Sequence, residues 1–166
     1  MMIVDCRVMD SPIGELVLTA QEGRLCGVRL RNMGENVPQM PQDRVLEEAE
    51  RQIREYFAGL RRTFDLPLQM NGSGFDCAVW THLLEIPFAQ IQSYGQIAGA
   101  LGMPKAARAV GGACSRNPLL IVVPCHRVIA ASGKLTGFAA GMQAKKTLLE
   151  HEGWSMDGDR LVLRNE

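Results

Sequence analysis

Over residues 2–30 the apolar positions fall in short runs broken by turn residues, and after residue 43 they recur with a helical period. The first pattern predicts antiparallel strands. Ser11-Pro12-Ile13-Gly14 marks a turn, Leu16-Val17-Leu18 a short strand, and Gln21-Glu22-Gly23 a second turn before a strand from Leu25 to Leu30. Residues 31–42, punctuated by Gly34, Pro38 and Pro41, read as a loop. Val45, Leu46, Ala49, Ile53, Tyr56 and Phe57 then share one helical face, with Asp43 placed to cap the helix and Gly59 to end it. Thr63 to Leu68 predicts a returning edge strand, and Asn71-Gly72-Ser73-Gly74 a linker. The expected domains are therefore 1–70, an α/β unit with an antiparallel sheet, and 71–166.

The second part is predicted mostly helical. Phe75, Val79, Trp80, Leu83, Leu84 and Ile86 mark one helix, stopped by Pro87. Tyr94 to Leu101 and Lys105 to Ala113 form two short helices around Gly102-Met103-Pro104, the spacing of a helix-turn-helix, with Pro104 suited to the first turn of the second helix. Ala106, Ala107, Ala109, Gly111, Gly112 and Ala113 would let that helix approach another surface closely, and Lys105, Arg108 and Arg116 surround it with positive charge. Such a pair is also ordinary helix packing where no DNA is bound. A glycine-punctuated loop over 131–141 precedes a last helix from Met142 to about His151. The fold class expected is α+β: a small N-terminal antiparallel sheet with a helix, then a mostly helical domain with a helix-turn-helix and a short strand leading to Cys125.

That short strand is Ile121-Val122-Val123, ended by Pro124 and followed by Cys125, His126, Arg127 and Val128. Proline lacks an N–H, so strand pairing should stop there and leave Cys125 where buried structure gives way to loop. Proton-accepting or cationic neighbours favour the thiolate, the reactive form of cysteine. Successive strand side chains point to opposite faces, so His126 would not touch the Cys125 sulfur; either the backbone bends or a water carries the proton. The plain alternative is a buried structural cysteine.

Bulk properties narrow the classes. The chain has 166 residues, 46% hydrophobic and 22% charged, with a formal net charge of +0. Residues 71–153 nevertheless hold seven Lys/Arg against four Asp/Glu, while residues 1–70 hold nine against eleven. The basic excess thus lies with Cys125, and it suits local phosphate contacts rather than a polybasic face. No apolar run is long enough to span a membrane, and Met1 to Asp5 lacks the character of a signal peptide, so a cytoplasmic protein is expected. Five scattered cysteines do not read as a disulfide framework. Cys6 and Cys26 could meet across strands, but no third or fourth metal ligand lies near them in sequence, so no metal and no cofactor are expected.

Taken together, Pro124-Cys125-His126-Arg127-Val128, the run from Ser93 to Ala98 (SYGQIA) and the run from Pro104 to Ala113 (PKAARAVGGA) resemble the O6-alkylguanine-DNA alkyltransferases. Asn117-Pro118 and the ending from Leu148 to Gly153 fit as well, and the whole chain is similar to the stand-alone bacterial members. The resemblance implies that Cys125 accepts an alkyl group from guanine O6, or less readily thymine O4, once and irreversibly. It makes His126 the base acting through a water, Glu152 the carboxylate that orients it, and Asn117 the hinge between recognition helix and active-site segment. Tyr94 is implied as donor to the flipped base, and Arg108 as the side chain that replaces that base in the duplex. Ser93, Lys105, Ala107, Gly111 and Arg116 are implied to contact DNA. Tyr94, Val128, Gly137, Phe138, Ala139 and Ala140 are implied to line the substrate pocket.

The expected partner is double-stranded DNA carrying O6-alkylguanine, met by a monomer that can cluster on DNA, with no membrane involved. Phe138 and Ala140 depart from the tyrosine and glycine frequent in the family, which bears on bulky alkyl groups, and the zinc ligands of some relatives are not reproduced as a set. Two other readings are a non-catalytic lesion-binding protein of the alkyltransferase-like type and a Cys–His hydrolase.

Overall fold

A computed structural model describes residues 3–39 and 42–164 of the chain, so Pro41 of the expected loop lies outside the described residues. The chain forms two compact units: Met1–Asn71 joined by Pro118–Val122, and Gly72–Asn117 joined by Val123–Glu166.

The first unit is built on a meander of three antiparallel strands, β1 (Asp5–Met9), β2 (Leu16–Gln21) and β3 (Arg24–Leu30). Glu22 and Gly23 connect β2 to β3 with φ of 50° and 75°, the doubly positive pair whose twist suits a two-residue hairpin. Register runs Thr19↔Gly27 and then Ala20↔Leu25, so Cys26 is bulged out. The bulge switches which backbone groups face outward, and the free edge of β3 is taken by two short parallel bridges. Leu25 N–H donates to the Pro67 carbonyl at 2.8 Å, and Val28 N–H donates to the Pro118 carbonyl at 2.8 Å. These contacts blunt an edge that would otherwise template aggregation.

Helix α1 (Arg44–Phe57) buries Leu46, Ala49, Ile53 and Tyr56 on one face. Asp43 caps it by accepting from Leu46 N–H at 2.8 Å. Gly59, at φ 78°, ends it while Leu60 N–H returns to the Glu55 carbonyl at 2.9 Å, a Schellman closure.

In the second unit, α2 (Gly74–Leu83) is followed by the two-residue strand β4 (Gln92–Ser93), α3 (Tyr94–Ala100) and α4 (Ala107–Ser115). A 3₁₀ turn (Cys125–Arg127) leads into β5 (Val128–Ile129), which pairs parallel with β4. Helix α5 (Met142–His151) and a hairpin, β6 (Trp154–Asp157) with β7 (Arg160–Leu163), complete it. Trp80 is buried and donates its indole N–H to the Ala113 carbonyl at 2.8 Å, which locks α2 against α4. Arg116 closes the same pair by gripping Asp76 with Nε at 3.1 Å and Nη2 at 2.7 Å.

The α+β class holds, with local corrections. Thr63 to Leu68 is not a strand but a single bridge at Leu68, because Pro67 has no N–H to extend a ladder. Pro104 lies in the turn before α4 rather than in its first turn, since Ala106 N–H closes back on the Met103 carbonyl at 2.9 Å. The run Ile121 to Val123 is buried but turned, not extended. Val122 N–H bonds the Leu120 carbonyl at 2.8 Å around Ile121, whose φ is 72°. That is a γ-turn of the rare positive-φ kind, unusual for a β-branched residue. Strand pairing next to Cys125 comes after it, at Val128–Ile129. The hairpin over 154–163 carried no sequence expectation.

A methyl group added at Gly27 would lie 2.2 Å from Thr19 Oγ1 across the bulge. Gly27→Ala is therefore expected to lower the unfolding free energy by about 1–3 kcal/mol, the usual cost of overpacking. Urea denaturation checks this, and Thr19→Ala in the same chain should recover most of the loss.

Candidate active site

Cys125 owes its position to two local devices. Pro124, at φ −81° and ψ 62°, forms an inverse γ-turn closed by Cys125 N–H on the Val123 carbonyl at 2.8 Å. The chain then turns as 3₁₀ through His126 and Arg127, which replaces the expected strand geometry. Asn117, buried just beyond α4, donates from Nδ2 to the Val123 carbonyl at 2.9 Å and to the Cys125 sulfur at 3.0 Å. One amide thus holds the turn and supplies the thiolate with a hydrogen bond. Burial still dominates, and the Cys125 thiol is pushed up to about 11, so a proton acceptor is needed near neutral pH.

The acceptor is oriented from the far end of α5. Glu152, the C-cap of that helix, is 3% exposed. Its carboxylate meets His126 Nε2 at 2.9 Å and accepts from Arg127 Nε at 2.9 Å and Nη2 at 2.7 Å. Ala89 N–H adds a bond at 3.3 Å, and Arg127 Nη1 donates to the Ile86 carbonyl at 2.6 Å. Burial alone would raise the Glu152 carboxyl, but the bonds from His126 and Arg127 outweigh it and hold it well below the ordinary range. An ionised carboxylate only accepts, so His126 carries its proton on Nε2 and presents a bare lone pair at Nδ1. Nδ1 is buried with no hydrogen-bond partner among the described residues. Burial also pulls the His126 pKa below its usual value, against the opposing pull of Glu152, so the ring stays neutral with its Nδ1 lone pair open to accept a proton.

A cavity of about 550 Å³ is lined by Tyr94 of α3, by Ala107, Arg108, Gly111 and Ser115 of α4, and by Thr136 to Ala139 of the glycine-rich loop. Its size suits a small molecule or a single base. Arg108 and Lys105 are exposed on the α4 side, and Tyr94 bonds Thr136 Oγ1 through its hydroxyl at 2.8 Å.

The structure thus brings together Cys125, His126, Asn117 and Glu152, and separately gathers Tyr94, Ala107, Arg108, Gly111, Gly137, Phe138 and Ala139. Val128 and Ala140 do not line the cavity. Val128 is fully buried in β5, where its backbone carbonyl accepts from Lys145. Ser93 is committed to capping α3, its Oγ accepting from Gln96 N–H at 3.1 Å. Arg116 is engaged with Asp76, and Arg127 with Glu152 rather than with the sulfur.

Lys145 and Thr136 were missed. Lys145 is 1% exposed and reaches the Val128 carbonyl at 2.6 Å; burial pulls it down to about 8, against the opposing pull of the nearby Cys125 and Cys114. The sequence did carry a signal for it, a lysine on the apolar stripe of Ala144, Leu148 and Leu149. Among the described residues no cluster of three or more His, Cys, Asp or Glu side chains could hold a metal, and no helix is long and apolar enough to cross a membrane.

Comparison with known proteins matches residues 74–154 to the DNA-binding domain of 6-O-methylguanine DNA methyltransferase, and residues 4–70 to the ribonuclease-like domain of the same family. The chain belongs to this family. It is 44% identical over 153 residues to the methylated-DNA–protein-cysteine methyltransferase of Mycobacterium leprae, covering 90% of this chain and 93% of that one. The namesake from Methanosarcina acetivorans is 44% identical over 151 residues, covering 88% and 96%. The crystal structure of Mycobacterium tuberculosis O6-methylguanine methyltransferase superimposes with a TM-score of 0.81 at 42% identity, covering 90% of this chain and 93% of that one. A structure of the M. tuberculosis protein in complex with DNA gives 0.81 at 43% identity, covering 89% and 92%.

Removing the carboxylate charge leaves Arg127 buried without its counter-ion. Glu152→Gln is expected to cost about 3 kcal/mol of stability at pH 7, as breaking a buried pair does. Because the folded Glu152 pKa lies below the free one, its contribution is complete above about pH 4.3 and is lost as pH falls further. The gap between wild type and variant in thermal or urea unfolding should accordingly narrow in acid.

Proposed function

We propose that this chain is a direct-reversal DNA repair protein, a methylated-DNA–protein-cysteine methyltransferase that takes the alkyl group of O6-alkylguanine onto Cys125. O4-alkylthymine is the less favoured substrate. The observation that carries the reading is the line Arg127–Glu152–His126, which leaves a proton-accepting Nδ1 in the same buried turn as the thiol.

An alkyl group on O6 is poorly placed for attack inside a duplex, so the nucleotide is extruded. Arg108, exposed on α4, takes its place in the stack, while the small side chains of Ala107 and Gly111 let the helix lie close and Lys105 meets phosphate. Arg116 and Ser93, held by Asp76 and by the α3 cap, are left to structural work. The base enters the cavity beside Tyr94, against Gly137, Phe138 and Ala139. His126 takes the thiol proton through a water, and Asn117 stabilises the thiolate. Sulfur then attacks the alkyl carbon as the carbon–O6 bond breaks, and guanine leaves with the electron pair, accepting a hydrogen bond from Tyr94. The thioether has no leaving group that would restore the thiol, so each molecule acts once. The partner is duplex DNA, met by a monomer in the cytoplasm.

Incubation with a duplex carrying one O6-methylguanine should add one methylene mass per protein, saturating at one and mapping to Cys125. Lesion binding without a mass change would favour a non-catalytic lesion-recognition protein instead. His126→Ala should slow transfer by roughly 10²–10⁴-fold, the range of general-base catalysis. Because burial keeps the His126 pKa low, the wild-type rate should hold as pH drops through about 6.5 and fall only below it. Arg108→Ala should slow transfer on duplex far more than on a single strand, where there is no stack to fill.

A further inference from the structure

Tyr94 and Thr136 face one another across the cavity wall, with the phenolic oxygen 2.8 Å from Thr136 Oγ1. Thr136 sits in a loop outside any helix or strand, turned at Gly133 with φ 84° and at Gly141 with φ 92°. Yet its carbonyl accepts from the buried Lys145 ammonium at 3.2 Å, and that ammonium also holds the Val128 carbonyl at 2.6 Å. The threonine is therefore pinned from behind, and its hydroxyl is aimed at the phenol.

We propose that Thr136 is a positioning residue for alkyl transfer, acting through Tyr94; this rests on the function proposed above. A phenol has one hydrogen to give. Alone with Thr136 it can donate to the threonine, but when a base nitrogen enters the cavity the pair reverses. Thr136 O–H then donates to the phenolic oxygen, and Tyr94 O–H donates to the base. The two bonds in series polarise one another, so the phenol becomes a stronger donor as charge develops on the departing guanine. In the step itself the sulfur–carbon bond forms, the carbon–O6 bond breaks and its electron pair passes into the guanine ring. The proton removed from the thiol by His126 balances the one that guanine takes up on release. Thr136 gives up no proton; it fixes where the Tyr94 hydrogen points.

The test is single-turnover transfer from a duplex carrying one O6-methylguanine, at saturating protein, with duplex affinity measured in parallel. Thr136→Val keeps the shape and removes the hydroxyl. It should slow transfer about tenfold, the worth of one hydrogen bond made in the transition state, while changing duplex affinity less than about twofold. Thr136→Ser should return the rate to within about threefold of wild type. Since Thr136 works only through the phenol, Thr136→Val should cost nothing further in a Tyr94→Phe background. An unchanged rate in Thr136→Val overturns the proposal, as does an equal loss in the presence and absence of the Tyr94 hydroxyl. Wild-type protein that transfers nothing overturns the repair reading itself, and this inference with it.

Discussion

The second unit depends on one buried negative charge. Glu152 ends α5 through its backbone N–H, and its carboxylate, through Arg127 and His126, fixes two of the three residues of the turn that carries Cys125. It also reaches the segment after α2 through Ala89 N–H, while Trp154 of β6 donates to the Ala89 carbonyl at 3.2 Å. A charge this deep is tolerated because a guanidinium neutralises it and its lone pairs are met. The same carboxylate that organises the packing also decides which histidine nitrogen carries the proton. Fold and chemistry therefore rest on the same ion pair.

The backbone near the site is held in conformations that side chains resist. Ala89 lies at φ 65° and has both its N–H and its carbonyl engaged, by Glu152 and Trp154. Such residues cost on the order of 1–3 kcal/mol each and persist only where their surroundings over-determine them. Pro124 contributes without strain, since its ring already favours the φ that the inverse γ-turn requires. Asn117 completes the turn by bonding both the Val123 carbonyl and the sulfur, so that the nucleophile is positioned by one rigid amide.

Much of this was legible along the chain. The cap at Asp43, the turn at Glu22-Gly23 and the helix stops at Gly59 and Gly102 follow from local backbone chemistry, which sequence displays directly. The run Ile121 to Val123 misled because β-branched residues mark burial as readily as extension, and here they are buried in turns. Arg116 looked like a free basic group until Asp76, forty positions away, came to meet it.

The sequence by itself determined the periodicities, the turns, and the presence of a cysteine, a histidine and a glutamate suited to nucleophilic chemistry, because those depend on neighbours within a few residues. Only the tertiary structure decided that His126 faces Glu152 through Nε2, that Lys145 reaches back to Val128 and Thr136, and that Tyr94 meets a threonine hydroxyl. Each of these joins residues 9 to 42 positions apart. Their partners were chosen by the need to satisfy buried polar groups once the second unit had packed its own core, a constraint that no local stretch of sequence contains.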